Sequence, residues 1–254
     1  MIDALYISAS GLRSEQKQID VISNNVANMH TPGFKRSRVN FVEVATAGVS
    51  ANAGAPADSS GNGTRIFSTS TMFSAGNMRA TQNPLDLAIQ GNGFFEFEAE
   101  NGELVYSRDG QFRIDAEGQL VNVQGLRLSR PIQMPADAQE VRIAANGEIT
   151  AILSGSAERQ IIGQIELTTF AAQDAMDVMG DNRFAATDAA GAPSYGRPGE
   201  TGFGSVQQGY VEMANVEMVE EMAALVLAQR AYQLNARVLQ ASDQILETIN
   251  NLRR

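Results

Sequence analysis

Cysteine and tryptophan are absent from the 254 residues, there is one histidine, and aromatic residues make up only 6%. Without cysteine there is no disulfide, no thiolate nucleophile and no Cys-based zinc site. The lone His30 cannot form a His-rich metal centre, and no nucleophile with an orienting acid accompanies it for general-base work. Lysine is nearly missing too: only Lys17 and Lys35 occur, so almost all the positive charge is arginine. The formal net charge of −10 argues against a nucleic-acid phosphate backbone as partner. No apolar run approaches the roughly 18 residues of a membrane span. The start MIDALYISASGLRSEQKQID has no basic n-region and no unbroken apolar h-region, so a Sec signal is not expected. These shortages predict neither a cofactor nor a metal, no nucleic acid and no membrane insertion.

What is present is periodic. Leu5, Leu12, Ile19 and Val26 recur at heptad spacing, and Ile22 widens the apolar face, which predicts an amphipathic helix over 1–30. From about Ala214 to Leu252 there is neither proline nor glycine. Met218, Leu225, Tyr232, Leu239 and Leu246 form one apolar row, and Ala231, Val238, Ile245 and Leu252 belong to its neighbour. A helix of this length is a rod of roughly 58 Å. Its stripe is broad enough to need a partner helix or neighbouring copies.

Between these ends the periodicity switches to that of strands. Turn signals at Asn101-Gly102, Asp109-Gly110, Glu117-Gly118, Gln124-Gly125 and Asn146-Gly147 separate short β-prone runs such as Phe94 to Phe97 and Phe112 to Ile114. An antiparallel meander or a small barrel-like sandwich is expected over 65–205. The stretch between Val44 and Thr64 and the stretch 185–204 are rich in Ala, Gly, Ser, Asn and Pro and read as flexible connections. The predicted fold class is α+β, with discontinuous terminal helices forming a coiled-coil-like core around a mainly antiparallel β domain. The expected division is 1–30 for the N-terminal helix, 31–64 for a joint and linker, 65–205 for the β domain and 206–254 for the C-terminal helix.

Short catalytic spellings do not survive their context. SEQK at 14–17 matches a Ser-x-x-Lys pattern but lies on the first helix without its usual companions. GNGFF at 91–95 precedes a strand, so no helix N-terminus is there to hold a phosphate. NGT at 62–64 is a glycosylation sequon by spelling alone. Asp109, Asp115 and Glu117 depart from EF-hand spacing and are better read as turn formers.

One stretch, NNVANMHTPGFKR at 24–36, breaks the first helix with a cluster of asparagines, Thr31, Pro32 and Gly33. Asn24, Asn25 and Asn28 can satisfy backbone groups at a helix end, Pro32 biases Thr31 towards extended geometry, and Gly33 permits a turn. Phe34 and Lys35 then start the next segment. This stretch resembles the N-terminal signature of the bacterial flagellar rod and hook protein family. SGL at 10–12 and DVISNN at 20–25 fit it as well. LDLAIQGNGFF at 85–95, YSRDGQFRIDAEGQLV at 106–121 and the long block from 208 to 249, with Gly209-Tyr210-Val211-Glu212, Asn215-Val216 and Gln229-Arg230-Ala231-Tyr232, are similar to further parts of the same family. The length and the QRAY block favour the distal rod branch over the hook, with the proximal rod branch as the alternative.

The resemblance implies a structural, non-enzymatic subunit of the flagellar basal body that polymerises into a helical tube transmitting torque. Implied partners are further copies of itself, other rod and hook subunits, the bushing ring proteins around the rod and the flagellar type III export apparatus. The terminal helices would form the inner core and NNVANMHTPGFKR the joint to the outer body. The bottom-up alternative is a secreted β-domain binding protein or hydrolase whose helical ends dimerise. Two amphipathic ends around a β body suit head-to-tail contacts, which build open helical assemblies when the rotation does not close. The ends are then expected to order fully only with neighbours present.

Overall fold

The computed structural model describes residues 2–45, 61–99, 101–154 and 158–252. Two long helices, α1 (Ile2–Ala27) and α2 (Met218–Leu252), lie at the ends of a chain whose middle is β structure, nearly all of it paired antiparallel. This is the expected α+β arrangement. The chain divides into two compact units: 1–27, 37–71 and 217–254 form the first, and 28–36 with 72–216 form the second.

In the first unit α1 packs against α2 and against a hairpin made of Ser37–Ala45 and Gly61–Thr71. The helices approach closely where a small residue allows it: a side chain on Gly11 would lie 2.8 Å from the Asn235 amide nitrogen. Among its described side chains, the buried positions of α1 are Ser8, Ser14, Val21, Ile22 and Asn25, so small and polar residues share the face with two aliphatics. Ser10 Oγ accepts the Thr64 backbone N–H at 3.3 Å, which ties α1 to the second hairpin strand. The hairpin corrects the expectation of a joint and linker over 31–64. Its second strand, GNGTRIFSTST, buries little beyond Thr71, so its composition reads as a linker although its Thr residues favour a ladder. Asn40 faces it and donates to Ser68 and Ser70 hydroxyls at 3.1 and 3.0 Å. The centre of the Ala/Gly-rich stretch, 46–60, lies outside the described residues.

The second unit is the β body. A seven-stranded sheet runs in the spatial order Asp177–Gly180, Arg183–Ala185, Leu104–Ser107, Phe95–Glu98, Arg127–Leu128, Leu120–Asn122, Phe112–Ile114. A three-stranded sheet, Ala138–Ile143, Glu148–Leu153 and Arg159–Gln164, falls in sequence between Arg127–Leu128 and Asp177–Gly180 of the first. The main core gathers Leu87, Ile89, Phe95, Phe97, Phe112, Leu120, Ile149, Ile165 and Leu167, among others. A second cluster is aromatic: Phe94, Tyr106, Phe170 and Phe184 with Phe73 against them, ring centres 4.8–6.3 Å apart.

The turns carry Asx geometry. Asn101, Asp109, Asp115, Asn122 and Asn146 each accept the backbone N–H two residues on through a side-chain oxygen, at 3.0–3.1 Å. Gly110 is a different case from its neighbours. Its φ is not positive, and it is required because a Cβ there would sit 1.7 Å from the Leu87 carbonyl oxygen.

The stretch 185–204, expected to be a flexible exit, is folded. Ser194–Gly196 pairs with Leu167–Thr169, and Ala190 is fully buried. The β body also reaches beyond residue 205, while 65–71 belong to the other unit. Ser205–Gln208 pairs with Leu87–Gln90, and Tyr210–Glu212 pairs with Met78–Ala80.

Candidate functional site

The asparagines of the joint motif, expected at the end of the first helix, straddle that end. Asn24 and Asn25 lie inside α1, which continues to Ala27. Asn25 is 2% exposed, and its side chain pairs with the strand that follows: Oδ1 accepts from Ser37 N and Nδ2 donates to Ser37 O, both at 3.0 Å. The same Nδ2 lies 3.3 Å from the buried Glu221 carboxylate on α2. One asparagine therefore joins α1, the hairpin and α2 within the first unit. The turn after the helix is built by Asn28 and Thr31, with Thr31 N–H to Asn28 O at 3.0 Å and the Thr31 hydroxyl to Asn28 Oδ1 at 3.3 Å.

From Asn28 onward the motif is part of the β body. Pro32 O accepts from the Asn182 side chain at 2.9 Å, and Gly33 N–H donates to Glu212 O at 2.8 Å. Gly33 has φ +71°, and a Cβ there would lie 2.5 Å from the Asp109 backbone nitrogen. Left-handed backbone and close approach both demand glycine. Phe34 is half-buried in this unit.

Lys35 is the centre of the site. Its ammonium lies 2.6 Å from Glu212 Oε1 and 2.8 Å from Ser74 O. Arg108 approaches Glu212 Oε2 at 3.3 Å, donates to Gly91 O at 2.8 Å and sits 5.2 Å from the Phe94 ring centre. Gly76 N–H adds a further donor to Glu212 Oε1 at 2.8 Å. All three charged side chains are buried, with 0–2% exposure. Burial pushes the Lys35 ammonium down from the usual lysine range, and the Glu212 carboxylate opposes that shift. Burial acts on the Arg108 guanidinium in the same direction, again opposed by Glu212. The cluster carries two cations and one carboxylate, so Glu212 holds both. Lys35 was expected in the joint; Glu212 and Arg108, from two other motif blocks, were not expected as its partners.

Asp109, against which Gly33 packs, is pushed up to about 6 by burial; the Gln111 backbone N–H opposes this, and nearby Asp86 adds to it.

The expected interface helices divide into packed and open faces. On α1, Ile22 is buried and Leu5, Leu12, Ile19 and Val26 are half-buried. On α2, Leu225, Ala231, Leu239 and Leu246 are half-buried, whereas Met218, Tyr232, Val238 and Ile245 are 37–50% exposed. The side chain of Leu252 lies outside the described ones. Sequence reasoning passed over Leu227, Leu234 and Ile249, which are 68%, 61% and 47% exposed. With Val238 and Ile245 they fall at alternating spacings of seven and four, one face of a helix. The signal was in the same heptad count: Leu234 lies three residues after Ala231, and Ile249 four residues after Ile245. The hairpin adds exposed Phe41, Ile66 and Phe67.

Three family models match the chain: "Flagella basal body rod protein" over 5–35, "Flagellar hook protein FlgE/F/G D1 domain" over 88–151, and "Flagellar basal body rod FlgEFG protein C-terminal" over 207–252. The chain is 37% identical to the flagellar basal-body rod protein FlgG of Caulobacter vibrioides, over 99% of its own length and all of the relative's. It is 35% identical to FlgG of Borreliella burgdorferi and 34% identical to FlgG of Bacillus subtilis, each over the full length of both chains. The flagellar hook protein FlgE of Borreliella burgdorferi is 37% identical over 50% of this chain and 30% of its own.

Proposed function

We infer the function from one fact: the chain belongs to the flagellar basal-body rod protein family. It is a structural subunit of the bacterial flagellar rod and not an enzyme. End-to-end similarity to rod relatives, against a half-length similarity to a hook protein, supports the distal rod and sets the proximal rod and hook alternatives second. The subunit polymerises with copies of itself and with related rod and hook subunits. In this reading the terminal helices form a coiled-coil-like inner wall, the β body lies outside, and the tube carries torque from motor to hook. Bushing ring proteins surround it, and delivery is through the flagellar type III apparatus.

The observation that carries the self-assembly reading is the open row Leu227, Leu234, Val238, Ile245 and Ile249 on α2. It extends about 33 Å along the helix. Each side chain is about half exposed, so covering it contributes roughly 1 kcal/mol, and the row about 5 kcal/mol. Docking one subunit costs about 4–15 kcal/mol in lost freedom. The row's about 5 kcal/mol lies at the low end of that cost, so one neighbour leaves little or no surplus and several neighbours at once, as a helical lattice provides, give stable association.

Leu234→Asp with Val238→Asp tests the reading in the full chain. These sites are exposed, so folding survives, whereas the half-buried Leu225 and Leu239 would confound packing with assembly. The expected outcome is loss of concentration-dependent polymers in sedimentation and loss of motility, with unchanged circular dichroism. Normal polymers and swimming would remove this row from the interface.

A further inference from the structure

The chain passes between its two units at four peptide bonds: 27–28, 36–37, 71–72 and 216–217. Three of these passages meet one side chain. Asn215 Oδ1 accepts the Arg36 backbone N–H at 2.7 Å, and Asn215 Nδ2 donates to the Met72 carbonyl at 2.7 Å. Met72 N–H in turn donates to Arg36 O at 2.9 Å. The second amide hydrogen has acceptors in Ser74 O and Ser74 Oγ, at 3.2 and 2.9 Å.

The hairpin register explains what this ring does. Ser37 pairs with Thr71, so Arg36 and Met72 are the next rung outward. An antiparallel rung of the hydrogen-bonded kind exchanges two backbone bonds. Here one is made directly, and the amide of Asn215 stands in for the other: it accepts from Arg36 N–H and donates to Met72 O. The rung is thereby closed on one side by backbone and on the other by a side chain. It is also bonded to the chain two residues before the 216–217 passage. An amide supplies the neutral acceptor and the two donors this requires. Aspartate lacks the donors, leucine lacks both, and glutamine places them one methylene too far out.

We propose that Asn215 is the positioning residue that closes the Arg36–Met72 rung, so that the β-body segments ending at Arg36, beginning at Met72 and ending at Val216 are held together at one point. The role belongs to the single chain. It does not depend on polymerisation, and it is local, because Asn215, Arg36 and Met72 belong to neither core cluster of that unit.

The test uses the dilute full-length chain and reads amide hydrogen exchange by NMR, together with tryptic cleavage of the Arg36–Ser37 bond. With Asn215→Leu, the Arg36 amide exchanges about tenfold faster or more, and cleavage after Arg36 accelerates by a similar factor. The Phe95 and Phe97 amides of the central sheet keep their protection. With Asn215→Asp, which retains the acceptor but not the donors, the Arg36 amide stays slow while cleavage is still accelerated.

Three results overturn the proposal. The first is unchanged exchange and cleavage in Asn215→Leu, meaning the rung closes on itself without the amide. The second is uniform acceleration that includes Phe95, meaning Asn215 only supports global stability. The third is an Asp variant whose Arg36 amide is as fast as that of the Leu variant, meaning the acceptor is not what protects it.

Discussion

Glu212→Gln is the sharpest probe of the joint. The carboxylate receives Lys35 at 2.6 Å and Arg108 at 3.3 Å, with all three side chains out of water. Glutamine keeps the shape but removes the charge. It leaves two buried cations facing each other and turns an amide donor towards a site already full of donors. Breaking a buried ion pair from one side costs about 3–5 kcal/mol. Lys35→Met removes a cation instead and leaves Glu212 and Arg108 as a balanced pair, with the Lys35 volume refilled by an apolar chain. That change costs under about 2 kcal/mol, because it deletes a charge-assisted bond without stranding a charge. The β body holds Tyr106, Tyr195 and Tyr210, so urea unfolding followed by tyrosine fluorescence reports on it. With a slope of about 2 kcal/mol per molar urea, Glu212→Gln lowers the midpoint by about 2 M and Lys35→Met by less than about 1 M. The ordering is the decisive feature. If Lys35→Met were as damaging as Glu212→Gln, the charge accounting of the cluster would be wrong.

Two further expectations concern the same region. Asp109 has a folded pKa raised from 3.8 to about 6, so the folded chain binds more protons than the unfolded one between those values. Its contribution to stability is full below about 4 and is lost as pH rises through 6, a change of up to about 3 kcal/mol. Asp109→Asn should therefore stabilise the β body at pH 7 and flatten the pH dependence of its urea midpoint between 4 and 6; an unaltered profile would contradict the burial argument. Gly33→Ala forces left-handed backbone on alanine and drives a Cβ to 2.5 Å from Asp109 N, which should cost about 2–4 kcal/mol in the same urea assay. A loss below about 1 kcal/mol would mean that the joint can lift off the β body.

Much of this arrangement was readable from residues, for reasons that differ by element. The meander was visible because Asx and Gly residues punctuate it, and a side-chain oxygen two residues before a backbone N–H is a local device. The helices were visible because their apolar spacing is local too. The hairpin strand Gly61–Thr71 was hidden because it buries almost nothing and is held by ladder bonds to a strand across an Ala/Gly-rich gap. The fold of 185–204 was hidden because its strand pairs with Leu167–Thr169 rather than with a sequence neighbour. Lys35, Arg108 and Glu212 each stood in a block that resembled the family, but nothing local shows that residues 177 positions apart share a buried bond.

That long-range bond changes the meaning of the joint. A joint reading treats 28–36 as a connector between a helix and a body, free to bend. Here its backbone is bonded to Glu212, its carbonyl at Pro32 to Asn182, and its lysine is buried against Glu212 and Ser74. The segments next to both terminal helices, 28–36 and 206–216, are therefore structural parts of the β body. Neither 28–36 nor 206–216 can be removed without opening that body to an unpaired charge or an unpaired strand. The β body needs these two segments to close its own sheets and ion cluster, whereas α2 keeps a further apolar row open beyond what α1 covers. Closure inside one chain and association between chains draw on different residues. Substitutions at Glu212 or Gly33 should accordingly report on the first, and substitutions at Leu234 or Val238 on the second.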